Sequence, residues 1–284
     1  TNNFDSDVDA CTILSAEGQT YTLTEDIGSD ASGLACIEIT ADTITLDCNG
    51  FSISGTEAGY GIYSTGTYTT IEGCNLSGWS TGVGFSSSTT NGAVHSSEFT
   101  DLILSGIYLV SDDNTIEGNT FSGDFIGISI EGSDDSLVYN NYFNLEDSVS
   151  INVGSAVFSI VETLGTNILG GEYLGGNYWS NPSGDGYSET CLDNNGDGFC
   201  DEEYDASGHG YLDALPLTNT FTTDVDVCRV LEKEGATYTL TQDITVDQDG
   251  CIEITADDIT LEGDGFTING AELYKEGVYM LEVN

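Results

Sequence analysis

The chain has 284 residues, 49 of them acidic and 3 basic, for a formal net charge of −46. Such a surface repels nucleic acid and anionic lipid and attracts cations, which excludes nucleic acid as a partner. A hydrophobic content of 38% with 10% aromatics excludes a disordered polyanion, and no stretch approaches the ~20 apolar residues of a membrane span.

The opening Thr1-Asn2-Asn3-Phe4-Asp5 is polar and acidic. It shows no signal peptide and reads as the start of a processed chain. Short strands follow at once. Ile37-Glu38-Ile39, Ile44-Thr45-Leu46 and Phe51-Ser52-Ile53 alternate with period two and are rich in β-branched residues. The one stretch that reads as a helical turn is residues 11–18.

From residue 61 two ladders run in step. Gly61-Ile62-Tyr63, Gly82-Val83-Gly84, Gly106-Ile107-Tyr108 and Gly127-Ile128-Ser129 are spaced 21, 24 and 21. Phe99, Phe121 and Phe143 are spaced 22 and 22, as are Val94, Ile116 and Val138. A fixed period of about 22 makes each repeat one turn of a solenoid. No single turn can bury its apolar face, so stacked turns share one core.

A longer repeat overlies this one. Asp7-Val8-Asp9-Ala10-Cys11, Tyr21-Thr22-Leu23-Thr24 and Cys36-Ile37-Glu38-Ile39-Thr40-Ala41-Asp42 recur as Asp224-Val225-Asp226-Val227-Cys228, Tyr238-Thr239-Leu240-Thr241 and Cys251-Ile252-Glu253-Ile254-Thr255-Ala256-Asp257. The chain therefore divides into a unit over residues 1–220, ending in an acidic loop segment, and the start of a second unit over 221–284. The basic residues Arg229, Lys233 and Lys275 all fall in the second. They mark an end that meets an acidic neighbour, or they reflect drift.

Eight cysteines, an even number, point to disulfides and an oxidising compartment. Comparing the two units narrows the pairing. Cys11 and Cys36 recur as Cys228 and Cys251, whereas Gly263 replaces Cys48. The simplest set is Cys11–Cys36, Cys228–Cys251, Cys48–Cys74 one turn apart, and Cys191–Cys200 as a local bridge.

Asn114-Thr115-Ile116-Glu117-Gly118-Asn119-Thr120-Phe121-Ser122-Gly123 resembles the parallel β-helix repeats of the NosD-like family. Gly175-Gly176-Asn177-Tyr178-Trp179-Ser180, the 193–198 segment and Leu212-Asp213-Ala214-Leu215-Pro216-Leu217 resemble the terminal segment of archaeal surface proteins of that family. The resemblance implies an all-β chain built as a right-handed parallel β-helix; periodicity alone also allows a left-handed one. The family's name suggests copper delivery. With one Met and two His, soft and imidazole ligands are too few for that role to carry over.

Asp193-Asn194-Asn195-Gly196-Asp197-Gly198-Phe199-Cys200-Asp201 has the spacing of a calcium loop. Asp193, Asn195, Asp197, Asp201 and the Phe199 carbonyl would share one structural calcium ion. A weaker second set is Asp205, Ser207 and Asp213. Asp112, Asp113, Asp134 and Asp135 stack one turn apart and offer a paired-carboxylate glycan site, although Asp and Asn there also suit turns. Residues 1–228 hold no Lys or Arg to act as a lyase base, and neither His95 nor His209 stands in a convincing triad.

The sequence thus predicts an extracellular structural protein with no enzymatic activity. Its β-helix units would assemble head-to-tail with copies of itself into a surface layer, sheath or filament. The alternative is a carbohydrate-binding or carbohydrate-cleaving module, or an adhesin, with glycans as partners.

Overall fold

The computed structural model describes residues 6–28, 33–123, 125–246, 250–270 and 276–280. The N-terminal pentapeptide and Lys275 lie outside the described residues. The chain forms two compact units, Thr1–Thr190 with Glu202–Leu217, and Cys191–Asp201 with Thr218–Asn284. The division is not a single cut near residue 220, because the bridged loop Cys191–Asp201 goes with the second unit.

The first unit is a parallel β-helix with three strand faces. One face stacks Thr20–Leu23, Thr45–Asp47, Thr70–Glu72, Ala93–His95, Thr115–Glu117 and the later half of Ile126–Tyr139. The next stacks Ile27–Gly28, Ser52–Ser54, Asn75–Ser77, Glu98–Thr100, Thr120–Ser122, Tyr142–Asn144 and Tyr178–Ser180. The third stacks Thr12–Leu14, Ala35–Ile39, Tyr60–Ser64, Thr81–Phe85, Ser105–Leu109, the earlier half of Ile126–Tyr139 and Val149–Val157. The helical turn expected at residues 11–18 is instead the strand Thr12–Leu14, paired in parallel with Ile37–Ile39. The β-branched Thr12 and Ile13 suit that pairing better than a helix. Among the described residues the one α-helix is Tyr187–Thr190.

Most three-residue strands bury only their middle side chain, so on the first two faces each turn contributes a single inward residue, whereas the five-residue strands of the third face bury more than one. In-register pairing aligns those residues into columns. Ile53, Leu76, Phe99, Phe121, Phe143 and Trp179 are successive partners. Each is at most 2% exposed, which leaves this column as dry as any protein core. The rings of Phe99, Phe121, Phe143 and Trp179 stack nearly parallel, with centroids 4.7, 4.9 and 4.7 Å apart. A second column runs Leu46, Ile71, Val94, Ile116, Val138, and a third Ile37, Ile62, Val83, Ile107, Ile128, Val149.

The glycine ladder exists because the rings need its space. A Cβ on Gly106 would lie 2.6 Å from the Gly127 carbonyl oxygen and 2.8 Å from the Phe121 ring. A Cβ on Gly82 would meet Gly106 and Phe99 in the same way, at 2.7 Å each.

The second unit repeats the plan. Asp224–Val225, Thr237–Leu240 and Thr260–Glu262 form one face, Ile244–Val246 and Ile268–Gly270 another, and Arg229–Leu231, Gly250–Ile254 and Glu276–Met280 the third, all parallel. Its core holds Val225, Leu231, Tyr238, Leu240, Ile244, Cys251 and Ile252.

An alanine for glycine in a strand ordinarily stabilises the chain by lowering the entropy of the unfolded state. At Gly106 the sign reverses. Gly106→Ala is expected to cost about 1–3 kcal/mol in denaturant unfolding, the range of overpacked cores. An unchanged or raised midpoint would show that the two ladders are not interlocked.

Candidate functional site

The four disulfides join Cys11–Cys36, Cys48–Cys74, Cys191–Cys200 and Cys228–Cys251, and no cysteine is free. The two bridges at the equivalent positions of the units, Cys11–Cys36 and Cys228–Cys251, close loops of nearly equal separation, 25 and 23 residues.

A buried polar column continues from the Cys48–Cys74 bridge along the first unit. The Cys74 N–H donates to Ser97 Oγ (3.1 Å) and the Ser97 N–H to Asn119 Oδ1 (3.0 Å). Asn119 then gives both its backbone N–H and its Nδ2 to Asn141 Oδ1, each at 3.0 Å. Asn141 gives the same pair to Asn177 Oδ1, at 3.1 and 2.9 Å. Each amide orients the next, because its oxygen accepts from the preceding turn while its nitrogen donates to the following one.

Asp213 terminates the column. Its Oδ2 accepts the Asn177 N–H (2.8 Å) and Trp179 Nε1–H (2.8 Å), and its Oδ1 accepts the Leu215 N–H (3.1 Å). Every group facing this carboxylate in those bonds is a donor, so an acceptor-only end is required there. A Cβ on Gly176 would collide with the carboxylate. This pair explains the Gly175-Gly176-Asn177-Tyr178-Trp179 and Leu212-Asp213 motifs as one closure. Burial raises the Asp213 carboxyl to about 6, and the hydrogen bonds from Asn177, Trp179 and Leu215 offset only part of that rise.

The second candidate metal set is therefore not assembled. Asp213 is fully buried with its oxygens occupied. Asp205 spends its carboxylate on the Ser207 and Gly210 N–H groups. Those backbone donors, Gly210 first, hold it below the usual carboxylate range. The sequence spacing missed this because it counts residues and not the direction each side chain takes.

The loop Cys191–Asp201 is built by its own side chains. Asp193 Oδ1 accepts the Gly196 N–H (2.6 Å) and Oδ2 the Gly198 N–H (3.2 Å). Asp197 Oδ1 accepts the Phe199 N–H (2.9 Å), and Asp201 accepts the backbone and side-chain N–H of Asn194. Burial pushes the Asp193 carboxyl up, against the pull of the Gly196 and Gly198 bonds.

Two of the chain's basic residues meet this loop inside the second unit. Lys233 Nζ donates to the Gly196 carbonyl (2.7 Å) and Arg229 Nη2 to Asn194 Oδ1 (3.1 Å). The same ammonium lies 5.0 Å from the Phe221 ring centroid. At the matching positions of the first unit stand Thr12 and Ala16. The clustering of basic residues late in the sequence thus has a structural counterpart, since Arg229 and Lys233 both donate hydrogen bonds to this acidic segment. The donors offered by Asp193, Asn195, Asp197, Asp201 and the Phe199 carbonyl are all oxygens, the set a hard divalent ion takes. Among the described residues, no three His, Cys, Asp or Glu side chains come together in a metal-holding group.

Asp112, Asp113, Asp134 and Asp135 lie in stacked turns. Asp113 and Asp135 adopt positive φ (59° and 56°). Asp112 Oδ1 accepts the Asp134 N–H (2.8 Å), and Asp134 Oδ1 accepts Ser155 Oγ–H (3.2 Å). The structure stacks these residues as the sequence suggests, with Asp112 and Asp134 engaged in bonds between turns.

Residues 103–184 match the family model described as Periplasmic copper-binding protein (NosD). No curated protein matches the chain. Among solved structures, an alginate lyase from Paenibacillus sp. str. FPU-7 matches with 14% identity, covering 94% of this chain and 92% of that chain, at a TM-score of 0.32. That matching protein is an enzyme, so the expectation of a chain without enzymatic activity is withdrawn. The likeness is too distant to name a reaction or a catalytic residue here. The chain's own donors do not fit copper. All cysteines are bridged, His95 pairs with Glu72 at 3.3 Å, and His209 Nδ1 contacts the Ser207 carbonyl.

Asp213 supplies a pH test. Its folded-state value lies above the unfolded one, so between them the folded chain holds the extra proton. Stability from this group is complete below the ordinary value of 3.8 and is lost as pH rises through about 6. The stability difference between wild type and Asp213→Asn should move by about 3 kcal/mol in favour of the variant from about pH 3.5 to pH 7. A difference constant with pH would contradict the burial of the ionised form. In the second unit, Lys233→Met should lower the thermal midpoint of the 191–201 and 218–284 module, with a loss of about 1–2 kcal/mol for a half-buried charged hydrogen bond. An unaltered midpoint would mean that the ammonium does not hold the loop.

Proposed function

We propose that this chain is a periplasmic or extracellular structural protein whose β-helix units associate, in tandem and between copies, into an ordered layer, sheath or filament. One observation carries the reading. The second unit repeats the strand faces, the parallel register and the bridge position of the first. A module repeated with the same register is suited to stacking, because a β-helix turn presents the same strand spacing to whatever follows it.

The disulfides fit an oxidising compartment, and among the described residues no helix is long and apolar enough to cross a membrane. The high negative charge opposes association in dilute salt and favours it once cations screen the surface. In this reading calcium acts as such a cation and is shared by Asp193, Asn195, Asp197, Asp201 and the Phe199 carbonyl.

Sedimentation velocity and electron microscopy of the purified chain, with calcium and with a chelator, test the proposal. Ordered assemblies that grow with protein concentration and calcium are expected, with the calcium effect lost in Asp197→Ala. A chain that stays monomeric at the highest attainable concentration in both media would overturn the reading. Assembly that ignores calcium and the Asp197 substitution would retain the structural role and remove the ion from it.

A further inference from the structure

The first unit carries a cleft of about 440 Å³ between the turn Leu145–Val149 and a wall made by Trp179, Tyr187 and Tyr204. Its volume falls in the range of small-ligand sites. The wall continues the core stack outward. Trp179 lies 4.7 Å from Phe143 and 5.1 Å from Tyr204, and Tyr204 stacks on Tyr187 at 4.7 Å. Trp179 is buried, whereas Tyr187 and Tyr204 are half-buried and border the opening. Aromatic surface anchored in this way is rigid, so a ligand placed on it does not have to order it.

The carboxylates of the cleft fall into two kinds. Asp205 and Asp185 are committed, the first to the Ser207 and Gly210 N–H groups and the second to Asn181 Nδ2 (2.9 Å). Glu146 and Asp147 are exposed, and among the described residues their side chains have no hydrogen-bond partner. These two carboxylates also border a second hollow of about 320 Å³, lined by Ile103, Leu104, Phe125 and Ile126 from neighbouring turns. They therefore stand between two depressions that follow the stacking direction of the turns.

We propose that this cleft binds a neutral glycan chain, with the rims of the stacked Tyr204 and Tyr187 rings forming its apolar wall and Glu146 and Asp147 accepting sugar hydroxyls. The chemistry selects the ligand. The site has free acceptors and no cation, since residues 1–228 contain neither Lys nor Arg. An anionic ligand such as a phosphate or a polyuronate would face uncompensated repulsion at close range. A purely apolar ligand would leave two carboxylates desolvated. A neutral sugar brings hydroxyl donors at its edge and C–H groups on its face, so it satisfies both walls at once. A chain, and not a single ring, uses both hollows. The site is distinct from the Asp112 and Asp134 turns and does not depend on the assembly reading.

The test uses the full chain, titrated with neutral hexasaccharides of β-1,4-glucan, β-1,3-glucan, β-1,4-mannan and N-acetylglucosamine. An oligoguluronate and calcium chloride alone serve as controls, and binding is followed by calorimetry. At least one neutral hexasaccharide should bind. Affinity should fall about tenfold or more in Tyr204→Ala and in Asp147→Asn, about 1.4 kcal/mol each. Asp147→Asn is a surface change that leaves the fold in place, so it reports on the site even if Tyr204→Ala loosens the wall. The proposal is overturned if no neutral hexasaccharide binds, if binding survives both substitutions, or if only the oligoguluronate or calcium binds.

Discussion

Face-to-face stacking of aromatic side chains along the solenoid axis is the constraint on which the rest of the structure depends. Neighbouring parallel strands sit ~4.8 Å apart, and the rings of Phe99, Phe121, Phe143 and Trp179 repeat at 4.7–4.9 Å. Ring stacking and backbone pairing thus impose the same repeat, and neither is distorted to satisfy the other. The glycine ladder follows directly, because any Cβ at Gly82 or Gly106 would occupy ring volume. Two sequence ladders that look independent are two sides of one packing contact.

The polar column obeys the same repeat by a different rule. Stacked amides form a one-way chain of donors and acceptors, and such a chain must end on a group that only accepts. In this protein that group is Asp213, placed by a loop that returns to the last turn. A charge is buried there without a cation, held by N–H groups alone. The motif around residues 175–217 reads at first like a metal-bearing tail. In the first unit its Gly176, Asn177, Trp179 and Asp213 form a plug whose chemistry is hydrogen bonding.

The acidic loop Cys191–Asp201 has a related logic with a different partner. Its aspartates fold it by accepting backbone N–H groups, and the remaining negative field is met by Arg229 and Lys233 of the second unit. Thr12 and Ala16 replace these bases in the first unit. The two copies of the module share strands and a disulfide and differ in the charge at this position.

Periodicity determined a great deal. The step of about 22 residues located the phenylalanine, valine and glycine ladders, and comparison of the two copies separated Cys11–Cys36 and Cys228–Cys251 from the remaining cysteines, because strand pairing in register converts equal spacing into contact. Spacing could not show the direction of a side chain or the partner of a loop. Asp213 stands at a ligand-like interval from Asp205 yet turns inward to Asn177 and Trp179. Cys191–Asp201 lies within the first repeat yet packs with the second unit. The cleft between Leu145–Val149 and Tyr204 joins positions some sixty residues apart whose sequences share no pattern. Local order along a solenoid is written in the chain because each turn meets only its neighbours. Its closures and clefts depend on non-repeating loops folding back, and only the tertiary structure decides where those land.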